Sequence, residues 1–187
     1  MKNCRMLLLV MAFIGFTSFS FADVTRFSQT DYNKAIKGVK NLENAMLQGA
    51  DLKGVNLSGA NLTNANLEGA NLQGANLSGA ICANVEFEKS DFSNANFKGA
   101  DCKNADFELA IGNGADFSDS DCKNADFENA DMQNVKFTNA QLNNADFEKT
   151  NLKGADLKGA NLDYAEFEYA IWTDGKVCSE GSINGCW

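Results

Sequence analysis

An apolar residue recurs at every fifth position from Leu42 to Trp172, and no insertion or deletion breaks the phase. Of the 27 sites, twelve are Leu, nine are Phe and three are Cys; Met132, Gly112 and Trp172 complete the series. Two residues before each apolar centre stands Ala in 20 of the 27 cases, with Val, Ser or Thr in six more and Lys40 at the start. Self-similarity of this kind constrains architecture before any local propensity does. A helix repeats its faces every 3.6 residues and a strand every 2, so neither keeps every fifth residue on one side. A chain that turns a corner every five residues does. Each straight side then sends one large and one small apolar residue inward and leaves three positions toward water. Gly49, Gly54, Asn64 and Gly69 stand near the corners, where tight turns favour Gly and Asn.

A second interval is superposed on the first. Cys82, Cys102 and Cys122 are twenty residues apart, as are Phe87, Phe107, Phe127, Phe147 and Phe167. Leu57, Leu77, Phe97, Phe117, Phe137 and Leu157 form a further series. Like residues at that spacing are expected to stack in columns if successive turns of the chain lie at the inter-strand distance of about 4.8 Å.

The tandem "ADLKG", "ANLTN", "ANLEG", "ANLQG", "ANLSG" resembles the pentapeptide repeat family, and the resemblance covers residues 40–172. It implies an all-β fold, a right-handed quadrilateral parallel β-helix with four pentapeptides per coil. At that count residues 41–172 make about six and a half coils, a rod on the order of 32 Å long.

The flanks carry other signals. Lys2 and Arg5 precede the apolar stretch 6–16, and Ser20 and Ala22 are spaced like a small-residue cleavage site. Residues 1–22 therefore read as a signal peptide cut between Ala22 and Asp23, with a retained anchor as the rival. Residues 23–39 are expected to form an N-terminal cap. Its helix would run over 30–38, with Asp31 as cap, Gly38 as stop, and Tyr32 and Ile36 laid over the first coil. Residues 173–187 leave the repeat in turn-rich sequence. Cys178 and Cys186 flank that loop and read, in an exported chain, as a disulfide pinning a C-terminal cap. Cys82, Cys102 and Cys122 are expected to be buried free thiols, because stacked side chains run parallel and do not converge on a metal. At Gly112 the missing side chain implies a local bulge that turns Ile111 inward, since a void would cost about 1 kcal/mol or more.

The chain has no His and a formal charge of −9. Loss of residues 1–22 removes two of the 16 basic residues and none of the 25 acids, leaving −11. Such a chain repels nucleic acid and anionic lipid. Neither a cofactor nor a membrane partner is expected for the mature form. On the Phe87 side, the sites before each centre read Asn66, Glu86, Asp106, Asp126, Asp146 and Glu166. The sites after it read Glu68, Glu88, Glu108, Glu128, Glu148 and Glu168. Eleven carboxylates thus fall on one side, with Lys89 and Lys149 at its border. Carboxylates about 5 Å apart repel by roughly 0.8 kcal/mol in bulk water and more near a protein surface, so raised carboxyl pKa values are expected. The reading preferred is an exported, non-enzymatic binding or scaffold module whose acidic side meets a basic protein partner. Weak divalent-cation binding is one alternative, because Ca²⁺ wants six to eight converging oxygens. Another follows from the resemblance: some members of the family mimic DNA and inhibit DNA gyrase, but an exported chain would be in the wrong compartment. No threonine column suited to ice binding is present. Nor does the sequence offer a nucleophile–base pair or a cofactor loop.

Overall fold

The computed structural model describes residues 27–186, so the expected signal peptide at 1–22 and the start of the expected cap at 23–26 lie outside the described residues. From residue 41 to 172 the backbone repeats one five-residue path. The N–H three residues beyond each centre donates to that centre's carbonyl, as Ala45 does to Leu42 at 3.0 Å and Ala65 to Leu62 at 2.7 Å. Each bond closes a tight turn. The third residue of the turn has a positive φ, 56° at Asn44 and 65° at Gly54. Gly adopts this region freely and Asn tolerates it. The residue before the centre serves the turn as well. Its side-chain oxygen accepts the N–H of the residue after the centre, as Asn66 does from Glu68 at 3.0 Å and Asp116 from Ser118 at 2.9 Å. That bond gives the alternation of Asp and Asn in the repeat a physical reason.

Four such turns bring the chain back over itself. Parallel bridges join the residue before each centre to the one twenty positions on, from Asn41 with Asn61 to Asn151 with Ile171. The rungs are short backbone bonds, for example Asn61 N–H to Lys40 carbonyl and Leu62 N–H to Ile81 carbonyl, both 2.7 Å. Every side is cut off by its corner after one rung pair, which is why the sheet is a series of bridges rather than long strands. The result is a β-helical solenoid.

Inside it, like residues stack. Successive rings of Phe87, Phe107, Phe127 and Phe147 lie 4.8 Å apart and within 3° of parallel, and Phe167 continues the column at 5.1 Å. Phe97 and Phe117 stack the same way on another side, at 4.5 Å. Rings from different sides meet edge-on across the core, Phe87 with Phe97 at 83°, the arrangement the ring quadrupole favours. The centres and the small residues two before them are buried through almost the whole rod. Cys82, Cys102 and Cys122 are free and buried in their own column. Hydrogen bonding with Cys122 and Cys82, reinforced by burial, holds the Cys102 thiol well above the usual thiol range, so its thiolate is scarce.

Gly112 corrects one expectation. Ile111 stays outside, 43% exposed, and keeps its bridges to Asp91 and Asp131, so no bulge forms. The space is filled instead by the neighbours above and below. A Cβ at Gly112 would sit 2.2 Å from Phe92 Cε2 and 2.5 Å from Met132 Sδ. A glycine is what allows these two large side chains to share the column.

The N-terminal helix α1 (Gln29–Ile36) is capped by Ser28, not by Asp31. Ser28 Oγ accepts the Asp31 N–H at 3.2 Å, and Asp31 pairs with Lys34 at 2.8 Å and also accepts the Met46 N–H. The rule that a cap Ser is followed three residues later by an acid fits Ser28–Asp31 better than a helix begun at Asp31. Ile36 is exposed, and Ala35, fully buried, meets the core with partial help from Tyr32. Phe27 adds an antiparallel bridge to Leu47, so the first coil is covered by a strand fragment as well as a helix.

At the other end residues 176–184 fold back on the last coil. Phe167 N–H donates to Ser182 carbonyl at 2.8 Å, Trp172 N–H to Lys176 carbonyl at 2.7 Å, and Cys178 N–H to Ala170 carbonyl at 2.9 Å. The Cys178–Cys186 disulfide closes this segment, and Trp172 lies edge-on to Phe167.

Gly112→Ala is expected to destabilise the chain by about 1–3 kcal/mol in denaturant unfolding, because the added methyl overpacks Phe92 and Met132. Thiol titration is expected to find Cys82, Cys102 and Cys122 unreactive in the native protein and all three reactive after unfolding.

Candidate functional site

The acidic side is assembled by the twenty-residue register alone. Bridges run Asn66, Glu86, Asp106, Asp126, Asp146, Glu166 in unbroken order, so the sites before the Phe centres form one column. Glu68, Glu88, Glu108, Glu128, Glu148 and Glu168, two residues on, occupy the same turn position in successive coils and form a second. All eleven carboxylates predicted from the sequence come together, and all reach solvent.

The two columns differ in what holds them. Asp106, Asp126 and Asp146 each accept the N–H of the following Glu, at 2.9, 2.8 and 2.8 Å. They are turn-building residues that also carry charge. Glu86 hydrogen-bonds the Asn66 amide. The Glu column has no such duty in the turn: on the other sides the equivalent position is Thr63, Gln73, Ser78 or Lys103. Glu at all six levels from 68 to 168 is therefore not demanded by the fold.

Two lysines at one corner partly neutralise the strip. Lys89 pairs with Glu88 and lies 3.9 Å from Glu68, and Lys149 pairs with Glu148 and lies 3.4 Å from Glu128. Between them Leu109 occupies the same corner at a φ of 60° and is exposed. At the middle of the strip no lysine intervenes. There burial, then the charges of Asp106, Asp126, Glu128 and Glu88, push the Glu108 carboxyl above its ordinary range. Burial raises Asp126 too, against the lowering effect of the Glu128 N–H, with Asp146 and Asp106 adding to the rise.

Sequence reasoning overlooked the aromatic flanks. Tyr164 and Tyr169 stand at the two corners either side of Glu166 and Glu168, both with positive φ and both exposed, Tyr164 at 72%. Tyr169 has its hydroxyl pKa raised by Glu180, by burial and by Glu168. The available signal was "YAEFEY" (164–169), where Tyr twice fills a corner position that mostly takes Gly or Asn. No three Asp, Glu, Cys or His side chains among the described residues are grouped to hold a metal ion. No helix among them is long and apolar enough to cross a membrane.

Family models describing pentapeptide repeats match residues 41–79, and a pentapeptide repeat region matches 85–167. The chain belongs to the pentapeptide repeat family. Among solved structures, this pentapeptide repeat protein is similar to trypsin-treated QnrB1, described as a plasmid-mediated fluoroquinolone resistance protein. That match is 19% identical, covers 70% of this chain and 69% of QnrB1, and has a TM-score of 0.61. A pentapeptide repeat protein of the Arabidopsis thaliana thylakoid lumen is 31% identical over 62% of this chain and 83% of its own, with a TM-score of 0.44. The QnrB1 likeness establishes the shared β-helical fold. No curated protein matches the chain.

The raised Glu108 and Asp126 values set a sign for pH. A carboxyl whose folded pKa exceeds its unfolded one makes the folded state bind more protons, so stability falls as pH rises through that window and is regained as pH falls below the unfolded pKa. Glu108→Gln is therefore expected to raise the melting temperature at neutral pH and at low salt. The gain should vanish below about pH 4, near the unfolded glutamate pKa, and shrink in 1 M NaCl. Calorimetry across pH and salt checks both.

Proposed function

We propose that this pentapeptide repeat protein is an exported, non-enzymatic binding module that presents its acidic side to a protein partner with a basic surface. In this reading the solenoid is the right-handed, four-sided form with about six and a half coils, and its stiffness keeps the carboxylates at fixed spacing. The Glu column carries the proposal. Those six residues stand in one column in which a lysine bridges only the Glu68–Glu88 and Glu128–Glu148 levels, the turn does not require them, and the sides bearing Lys103 or Lys98 do not repeat the pattern. A charge array held at a cost in repulsion finds compensation when a cationic surface covers it. Export rests on the charged and apolar pattern of residues 1–22 and on the Cys178–Cys186 disulfide, which suits an oxidising compartment.

A DNA-mimicking inhibitor of a nucleic-acid-binding protein is the second reading. A stiff rod with charge repeating along its length favours it, and export speaks against it; fractionation of the mature chain separates the two.

Affinity capture with the native rod should retain a basic protein that is lost when Glu88, Glu108, Glu128 and Glu148 are together replaced by Gln. Retention should fall steeply between 50 and 500 mM salt, roughly as a charge-steered contact does. Identical partners for both rods would defeat the acidic-side reading.

A further inference from the structure

Unfavourable backbone geometry is concentrated along one side of the rod. Of the seventeen described residues other than Gly that take a positive φ, eleven are Asn, which tolerates the left-handed region. The remaining six are Lys89, Leu109, Asp119, Lys149, Tyr164 and Tyr169. Asp is tolerated there much as Asn is, whereas Lys, Leu and Tyr are disfavoured. All five of these disfavoured residues stand at the two corners that border the acidic side. The other two corners, from residue 54 to 159, hold Gly or Asn except at Asp119. Lys89 and Lys149 have a local reason to be where they are, their pairing with Glu88 and Glu148. Leu109, Tyr164 and Tyr169 carry no charge to place there, and each is exposed. Bulky side chains held where the backbone resists them, and then left in water, point to a contact made outside the fold.

We propose that Tyr164 and Tyr169 receive an arginine side chain of a protein partner over Glu166, and that Leu109 receives an apolar side chain of the same partner about 14 Å away, three coil rises along the rod. The inference rests on the basic-partner reading of the acidic side and names the chemistry of that contact. The two tyrosines occupy the corners either side of Glu166 in a single coil. Ile183 continues the Glu166 column through its antiparallel bridge and is exposed. Glu168 and Glu180 are near enough for their charges to act on the Tyr169 hydroxyl. Two phenol rings, an aliphatic side chain and three carboxylates suit a cation that is flat and weakly hydrated. Guanidinium is such a cation: it stacks on aromatic rings while its N–H groups pair with carboxylates, whereas the lysine ammonium is compact and holds its water. Tyrosine and arginine are also the residues on which interface energy concentrates. Charge rules out other occupants, since a second copy laid on this side, a nucleic acid or an anionic lipid surface would each bring negative charge to the carboxylates.

Two peptides of equal length and charge, one with arginine and one with lysine, each carrying a leucine at the stated distance, are the probes. In low-salt titrations the native protein should bind the arginine peptide about tenfold more tightly than the lysine peptide. Tyr164→Asn with Tyr169→Asn should remove that preference, leaving both peptides at the lysine level. Leu109→Asn, and separately Glu88→Gln with Glu148→Gln, should weaken both peptides alike and keep the preference. Stability supplies the second readout. Because Asn accepts the left-handed corner more readily, each of the three Asn substitutions should raise the melting temperature by about 2 °C. Equal binding of both peptides by the native protein would overturn this inference and leave the basic-partner reading standing; binding of neither would overturn both. A preference that survives the double tyrosine variant, or a lower melting temperature in that variant, which would mean that the rings pack for the fold, would also overturn it.

Discussion

Everything in this molecule hangs on the parallel backbone rungs that tie each residue to the one twenty positions further on. They fix the rise between coils at the spacing measured by the Phe87–Phe107 rings, 4.8 Å, and they leave no freedom in which side chain lies above which. One inserted residue would rotate every later side by a fraction of a turn and put Phe against Glu. The unbroken phase from Leu42 to Trp172 is the trace of that constraint in the sequence.

The same register produces the most favourable and the least favourable columns of the fold. Phe above Phe gains stacking and excludes water; Glu above Glu, one residue later, sets like charges over one another and is relieved only where Lys89 and Lys149 reach the column. The contrast within one pentapeptide is informative. Asp126 is tied into its turn by the Glu128 N–H, so its presence has a local structural cause. Glu128 has no comparable duty to the backbone, and its cause is to be sought outside the coil. Lys89 and Lys149 relieve the strip near two of its levels, and Glu108 and Asp126, between those levels, are where repulsion and burial leave their mark.

A solenoid has two further problems, its ends, and this chain solves them unequally. At the N-terminus a capped helix, a strand fragment from Phe27 and the buried Ala35 close the first coil. At the C-terminus a disulfide-closed segment covers the sides of Phe167 and Trp172 and stops short of Leu157 and Leu162. Coverage by backbone pairing rather than by bulk alone matters because an exposed N–H on a sheet edge is both an energetic cost and an invitation to pair.

What the sequence determined by itself was whatever follows from strict period: the coil of four pentapeptides, the Phe and Cys columns, the eleven carboxylates on one side, and the Cys178–Cys186 pair, whose proximity a loop this short makes easy. Those features are legible because position modulo five and modulo twenty fixes the neighbours without any knowledge of packing. The tertiary structure decided the places where the period is silent or broken. Gly112 gave no hint that Phe92 and Met132 would close over it, since only the volumes of three stacked levels settle whether a gap fills or the backbone bulges. The cap of α1 moved from Asp31 to Ser28 because Ser28 Oγ takes the Asp31 N–H while the Asp31 carboxylate is engaged by Lys34 and by the Met46 N–H of the first coil. How much of the last coil is covered could not be read from the letters at all: it depends on where residues 176–184 come to rest, a matter of contacts distant in sequence.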